Sequence, residues 1–179
     1  MTIIKDGTGT GRTLGVNTDN QGLVKAITES EFEFTSENKG LAFSWASQTF
    51  DPGQDDTMLL VKNTSTDKRL HIDAVWISID TQSRIVVHLP TTNVTVAGTT
   101  ITGVNLNTGS SNVAEAEAAR NETGNSEGDV IWSGEVQATS EPYKVDFGGA
   151  LILAKNKSIA VDFKTAATAG DVTIMGHYD

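Results

Sequence analysis

The chain has no cysteine. That absence removes disulfide staples, thiolate metal ligands and cysteine nucleophiles together. Positive charge is scarce as well: 13 Lys and Arg stand against 23 Asp and Glu, for a formal net charge of −10. Neutralising nucleic-acid phosphates or anionic lipid takes clusters of Lys and Arg. The basic spots here are small, Lys68-Arg69 and Lys155 with Lys157, so neither nucleic acid nor membrane is expected as a partner. No run approaches the ~20 apolar residues of a membrane-spanning helix. The N-terminus also lacks the basic and apolar regions of a secretory leader, so synthesis in a cytoplasm is the expectation.

What the chain does have suits strands and tight turns. Hydrophobic residues make up 37% of 179 positions, aromatics only 6%, and there are 17 glycines among many Thr, Ser and Asn. That length holds one good domain plus an extension. Over residues 40–50, Leu41, Phe43 and Trp45 alternate with Ala42, Ser44 and Ala46, which predicts a half-buried strand. Asp51-Pro52-Gly53 then turns the chain. Residues 57–63 are apolar in succession at their centre and predict a strand buried on both faces. Residues 69–80 form the longest strand candidate, and residues 84–89 form another, stopped by Pro90. Further strands are predicted at 130–136, 143–147, 150–153, 158–164 and 171–178.

The middle reads differently. Residues 93–98 and 99–102 predict a hairpin, and 103–112 a polar loop. Residues 113–120 alternate small apolar residues with charge, which predicts an exposed strand, with a short helix as the alternative. In total roughly eight to ten strands are marked off by turn signals every ~8–12 residues, the spacing of an all-β, two-sheet sandwich. The predicted sandwich spans residues 31–179.

Residues 1–30 stand apart. An apolar start, Thr2-Ile3-Ile4, leads into a glycine run from Asp6 to Arg12. Two short strand-like pieces follow, 14–17 and 22–28, split by the turn Thr18-Asp19-Asn20-Gln21. Together they are too small to enclose a core. Such a segment gains stability by lending its backbone and a few apolar side chains to a larger surface: its own domain, a neighbouring copy or another protein. The segment is therefore predicted to be a docking arm. Ile3, Ile4, Leu14, Val16, Leu23, Val24 and Ile27 would be its apolar anchors, and Gly7, Gly9 and Gly11 would allow close backbone approach.

Catalytic and metal chemistry find little support. The glycine run has no preceding hydrophobic strand, no following helix and no Lys-Ser/Thr, so it is not a phosphate loop. Asp51, Asp55 and Asp56 lack the spacing of an EF-hand loop and read as a solvated turn. His71, His88 and His177 share no local spacing, although His71 and Asp73 would share one strand face. No Gly-x-Ser-x-Gly elbow supports a nucleophilic serine. Glu115 and Glu117 read as a solvated face. Trp45, Trp76 and Trp132 sit in the strongest strands and read as core rather than as a carbohydrate platform. Neither a cofactor nor a metal is expected.

The opening Asp6-Gly7-Thr8-Gly9-Thr10-Gly11, the Asp19-Asn20 turn and then Leu23-Val24-Lys25-Ala26-Ile27-Thr28-Glu29 resemble the amino-terminal arm of structural proteins of tailed bacteriophages. The stretch from Gly103 to Ser110, followed by Ala114-Glu115-Ala116-Glu117-Ala118, is similar to the same group. The closing pattern, from Leu151-Ile152-Leu153 through Asn156-Lys157-Ser158 to the last strand, resembles the end of viral jelly-roll domains. The resemblance implies a jelly-roll sandwich and a non-enzymatic virion protein. Its most characteristic role would be capsid decoration, as a cement protein on the capsid exterior. The implied partners are the major capsid protein and further copies of itself, commonly as a homotrimer. The alternative is a tail or fibre knob that recognises host surface glycan through the loops near residues 103–128. A depolymerase on the same fold would instead need a carboxylate pair in a cleft.

Overall fold

In a computed structural model the backbone is described for residues 4–5, 13–16, 22–23, 30–91, 93–123, 126–138, 141–165 and 167–179. It divides into two compact units, Met1–Ser30 and Glu31–Asp179. The first unit contains three short antiparallel strands, β1 (Ile4–Lys5), β2 (Thr13–Val16) and β3 (Gly22–Leu23), with β2 in the middle.

The second unit opens on a single helical turn, α1 (Glu31–Phe34), which widens into a π-turn over Thr35–Lys39. Gly40 ends it in the left-handed region, at φ 61°, with its N–H returned to the Ser36 carbonyl. A side chain at that position would be strained by the positive φ and would also strike Ser110.

Eight strands then build the sandwich: β4 (Ala42–Ala46), β5 (Thr57–Asn63), β6 (Leu70–Ile79), β7 (Ser83–Leu89), β11 (Asp129–Val136), β12 (Tyr143–Leu153), β13 (Ser158–Phe163) and β14 (Gly170–Tyr178). Their pairing is nested and antiparallel: β4 with β14, β5 with β13, β6 with β12, and β7 with β11. The resulting long ribbon is rolled so that β14 also meets β6, and β13 also meets β7. This gives two facing four-strand sets, β12-β6-β14-β4 and β11-β7-β13-β5. That order is the jelly roll, two Greek keys closed into a double sheet.

The core lies between the two sheets. Phe43 and Trp45 of β4, Ile72, Val75 and Ile77 of β6, Ile85 and Val87 of β7, Ile159 and Val161 of β13 and Ile174 of β14 are all fully buried there. Alternation, reset in β6 by a bulge between Ile72 and Ala74, puts these residues on one face of each strand, so burying that apolar face drives the two sheets together.

Between β7 and β11 the chain makes a long excursion holding three more strands, β8 (Thr99–Thr100), β9 (Val104–Asn105) and β10 (Ala116–Arg120). β10 adds to the free edge of β5, β8 lies outside β10, and β9 adds to the free edge of β4. One excursion therefore caps both sheets on the same side. It also explains why every residue of β5 is buried. Val94 and Val96 lie across the outer face of the six-stranded sheet, against Leu60 and Ala160. The Lys62 ammonium reaches the Val94 carbonyl at 2.9 Å. Residues 93–97 are thus extended, as their alternation predicts, but they pack on a sheet face instead of forming a hairpin arm.

Candidate functional site

In the first unit, Ile4 lies opposite Leu14, Lys5 opposite Thr13, Gly15 opposite Leu23 and Val16 opposite Gly22. Four of the predicted anchors, Ile4, Leu14, Val16 and Leu23, therefore occupy ladder positions. The others, Ile3, Gly7, Gly9, Gly11, Val24 and Ile27, lie outside the described residues.

On the sandwich, the side opposite the excursion ends in β11 and β12. Neither strand has a further neighbour among the described residues. Both carry devices that discourage strand addition. β11 is bulged between Val130 and Trp132. β12 is bulged between Asp146 and Leu151, with Gly148 and Gly149 at positive φ, and it presents the Lys144–Asp146 ion pair (2.5 Å). The Lys144 ammonium holds the Asp146 carboxyl below the usual carboxylate range. Trp132 and Tyr143, 5.4 Å apart between ring centres, pack against each other from β11 and β12. Half-exposed Tyr143, Val130 and Ile152 lie on the same strands. Trp76, 37% exposed, carries Lys144 over its ring. Of the three tryptophans, Trp45 alone is fully buried.

On the excursion side the loop 103–112 is fastened to the end of the helical segment by its own side chains. Asn105 Nδ2 donates to the carbonyls of Gly40 and Asn112, each at 2.9 Å. Asn107 Nδ2 donates to Ser36 and Glu37, and Asn112 Nδ2 to Lys39 and Gly40. A helix leaves its last carbonyls without intrahelical donors, and three asparagine amides supply them here. The polar character of this loop is therefore largely spent inside the molecule. Val104 (63%) in the loop and Val113 (78%) just after it remain the most exposed apolar residues here.

Two buried polar clusters involve all three histidines. In the first, His88 Nε2 lies 3.0 Å from Asp162 Oδ2, and Asp162 Oδ1 accepts from Thr57 Oγ1 at 2.8 Å. His88 Nδ1 accepts the Gly128 N–H at 3.3 Å. The acid thus stands between the hydroxyl and the imidazole. A nucleophilic triad needs the imidazole next to the hydroxyl, so this cluster is no acyl-transfer site.

In the second, the rings of His71 and His177 stack with centres 5.0 Å apart and planes 18° apart. His71 and His177 are directly opposed because β6 pairs with β14, which no local sequence spacing reveals. Asp73 bonds His177 Nδ1 at 2.8 Å rather than serving its strand neighbour His71. His71 Nδ1 meets the Gly149 carbonyl at 3.0 Å.

Several other carboxylates are engaged by neighbours. Lys68 bonds Glu115, which lowers the Glu115 carboxyl and raises the Lys68 ammonium. Lys62 faces Glu117 at 3.4 Å. Asp56 accepts the Gly53 N–H, and Lys164 collects Asp55, Glu127 and Asp162. Among the described residues no group of three or more His, Asp or Glu is placed to hold a metal ion. No helix among them is long and apolar enough to cross a membrane.

No family model, curated protein or solved structure matches this chain.

Proposed function

We propose that this chain is a non-enzymatic structural protein of a phage virion. It would decorate the capsid exterior by bridging neighbouring capsid subunits and would act as a homo-oligomer, with a homotrimer as the expected state. The observation that carries this reading is the division of the chain at residue 30 into a small three-stranded unit and a jelly roll. A jelly roll is an architecture shared by viral capsid and lectin domains. The first unit is too small to own a core, which suits a piece that docks on another surface. Decoration works by number: many weak contacts across one shell resist internal pressure that single contacts would not. The blunted edges of the sandwich favour docking of the first unit on the capsid over strand exchange between copies.

Cosedimentation of the purified protein with undecorated phage capsids tests the proposal, with a form lacking residues 1–30 alongside. The full-length chain is expected to bind and the shortened one to stay in solution as a folded domain. Absence of binding by the full-length chain overturns the reading.

A second reading, a tail or fibre knob that binds host surface glycan, is favoured by the partly exposed rings of Trp76 and Tyr143. It makes the opposite prediction: binding on a glycan array that is lost in Trp76→Ala.

A further inference from the structure

The His71–His177 stack lies within the jelly roll, and its chemistry is unusual for a structural core. Both Nδ1 atoms act as donors, His71 to the Gly149 carbonyl and His177 to the Asp73 carboxylate. A neutral imidazole with its proton on Nδ1 offers only a lone pair at Nε2. Both Nε2 atoms are buried and lack a hydrogen-bond partner. Near-parallel rings cannot aim both lone pairs at one point, so the pair does not form the converging ligands of a metal site.

The atom each ring has left to change is therefore Nε2, and the change is protonation. The groups around the stack set what that does. Asp179 Oδ2 lies 3.5 Å from His71 Nε2, beyond an ordinary hydrogen bond, and is itself held by Arg69. Asp73 faces His177 from β6. From β12 the backbone at Gly149 closes over the pair, so that a Cβ there would stand 3.2 Å from His177 Cε1. From β4 the residue opposite His177 is the uncharged Ala42. From α1 the contact is the Phe32 ring, edge-to-face with His177 at 6.2 Å, while Glu31 and Glu33 are exposed.

We propose that the His71–His177 stack is an acid-sensitive latch on α1, the turn that leads into the jelly roll from the first unit. One proton is accommodated: at His71 Nε2 it turns an unpaired acceptor into a donor facing Asp179. A second proton places two like charges in adjacent stacked rings with no further acceptor for His177 Nε2. The stack then opens, and the Phe32 contact that seats α1 is lost with it. The asparagine clamp on residues 36–40 involves no titrating group and stays.

Hydrogen exchange on the full-length protein tests this between about pH 7.5 and about pH 5, the interval in which imidazole is the ordinary titrating side chain. After correction for intrinsic exchange, peptides covering residues 31–39, whose later amides bond the α1 carbonyls, should exchange at least about tenfold faster at the acid end, while those covering 57–63 stay unchanged. His177→Asn and His71→Asn each keep an Nδ1-like donor and cannot gain the proton, so both should abolish the response. Imidazole ¹⁵N spectra of the wild-type protein, which need no variant, should show Nε2 of both rings protonating over the interval in which α1 opens. A flat wild-type exchange profile, variants that keep the response, or opening without a change at both rings would each overturn the proposal.

Discussion

His88 and Asp162 form a 3.0 Å contact that is buried although it lies on the outer face of its sheet, where His88 stands opposite Ala160. Asp162 is also the acceptor for Thr57, so one carboxylate ties three strands together. Asp162→Ala should leave the buried His88 ring N–H without its acceptor, remove the Thr57 hydroxyl's bond to Asp162, and cost about 3 kcal/mol. Urea unfolding of Asp162→Ala, Thr57→Val and the double variant should show a smaller combined loss than the sum of the two. An unchanged midpoint for Asp162→Ala would refute the tie.

Gly128 donates to that same His88, and its backbone passes so close to the end of β7 that a Cβ would stand 1.7 Å from the Leu89 carbonyl oxygen. Gly128→Ala must push residues 126–128 off the sheet and should destabilise by about 1–3 kcal/mol. Thermal unfolding at neutral pH measures it, and a melting temperature equal to the parent's would mean that the approach is looser than described.

The alternating strands were legible because each buries one face against a single partner layer. Residues 57–63, read as buried on both faces, coincide with β5 to the residue. Where legibility failed, the missing information was tertiary. Residues 143–147 and 150–153 predict two separate strands, yet β12 runs through both, because a bulge takes up the positive φ values of Gly148 and Gly149. Val94 and Val96 alternate as strand residues do, but alternation marks a half-buried extended chain without naming what covers it. The helical turn at 31–39 is too short to show a period. The meeting of His71 with His177 depends wholly on the β6–β14 register. Residues 113–120 predict an exposed strand, and β10 is a strand, but Ala118 is part of the core between the sheets and Ala119, paired with β8, is buried too.

Asp179 carries a pH dependence of known sign. The Arg69 backbone N–H and then the Arg69 guanidinium hold its carboxyl at about 2 against burial that opposes them. A carboxyl lowered on folding stabilises the protein above the ordinary carboxylate range. That contribution is lost as pH falls through about 4 toward 2. Melting temperatures in this window should fall more steeply for the parent than for Asp179→Asn, which has nothing to protonate. Parallel slopes would assign acid sensitivity elsewhere.

The asparagine clamp gives a local prediction. Asn107→Ala and Asn112→Ala each remove an amide that serves two helix-end carbonyls. Each should cost about 1 kcal/mol and speed amide exchange over 36–40 and 103–112 together, leaving the β5 amides protected. Exchange confined to one of the two segments would show that they are not held by each other.

The excursion between β7 and β11 has a further consequence, for what happens when many copies are crowded together. Sheets run into fibres only if each unit has two ends that can receive a neighbour. Among the described residues, one end of each sheet of the sandwich is a stub of two residues, β8 or β9, too short to template a new strand. The other end is kinked. Each sheet of the sandwich therefore keeps one kinked end, β11 or β12, and neither can be extended by neighbours in both directions.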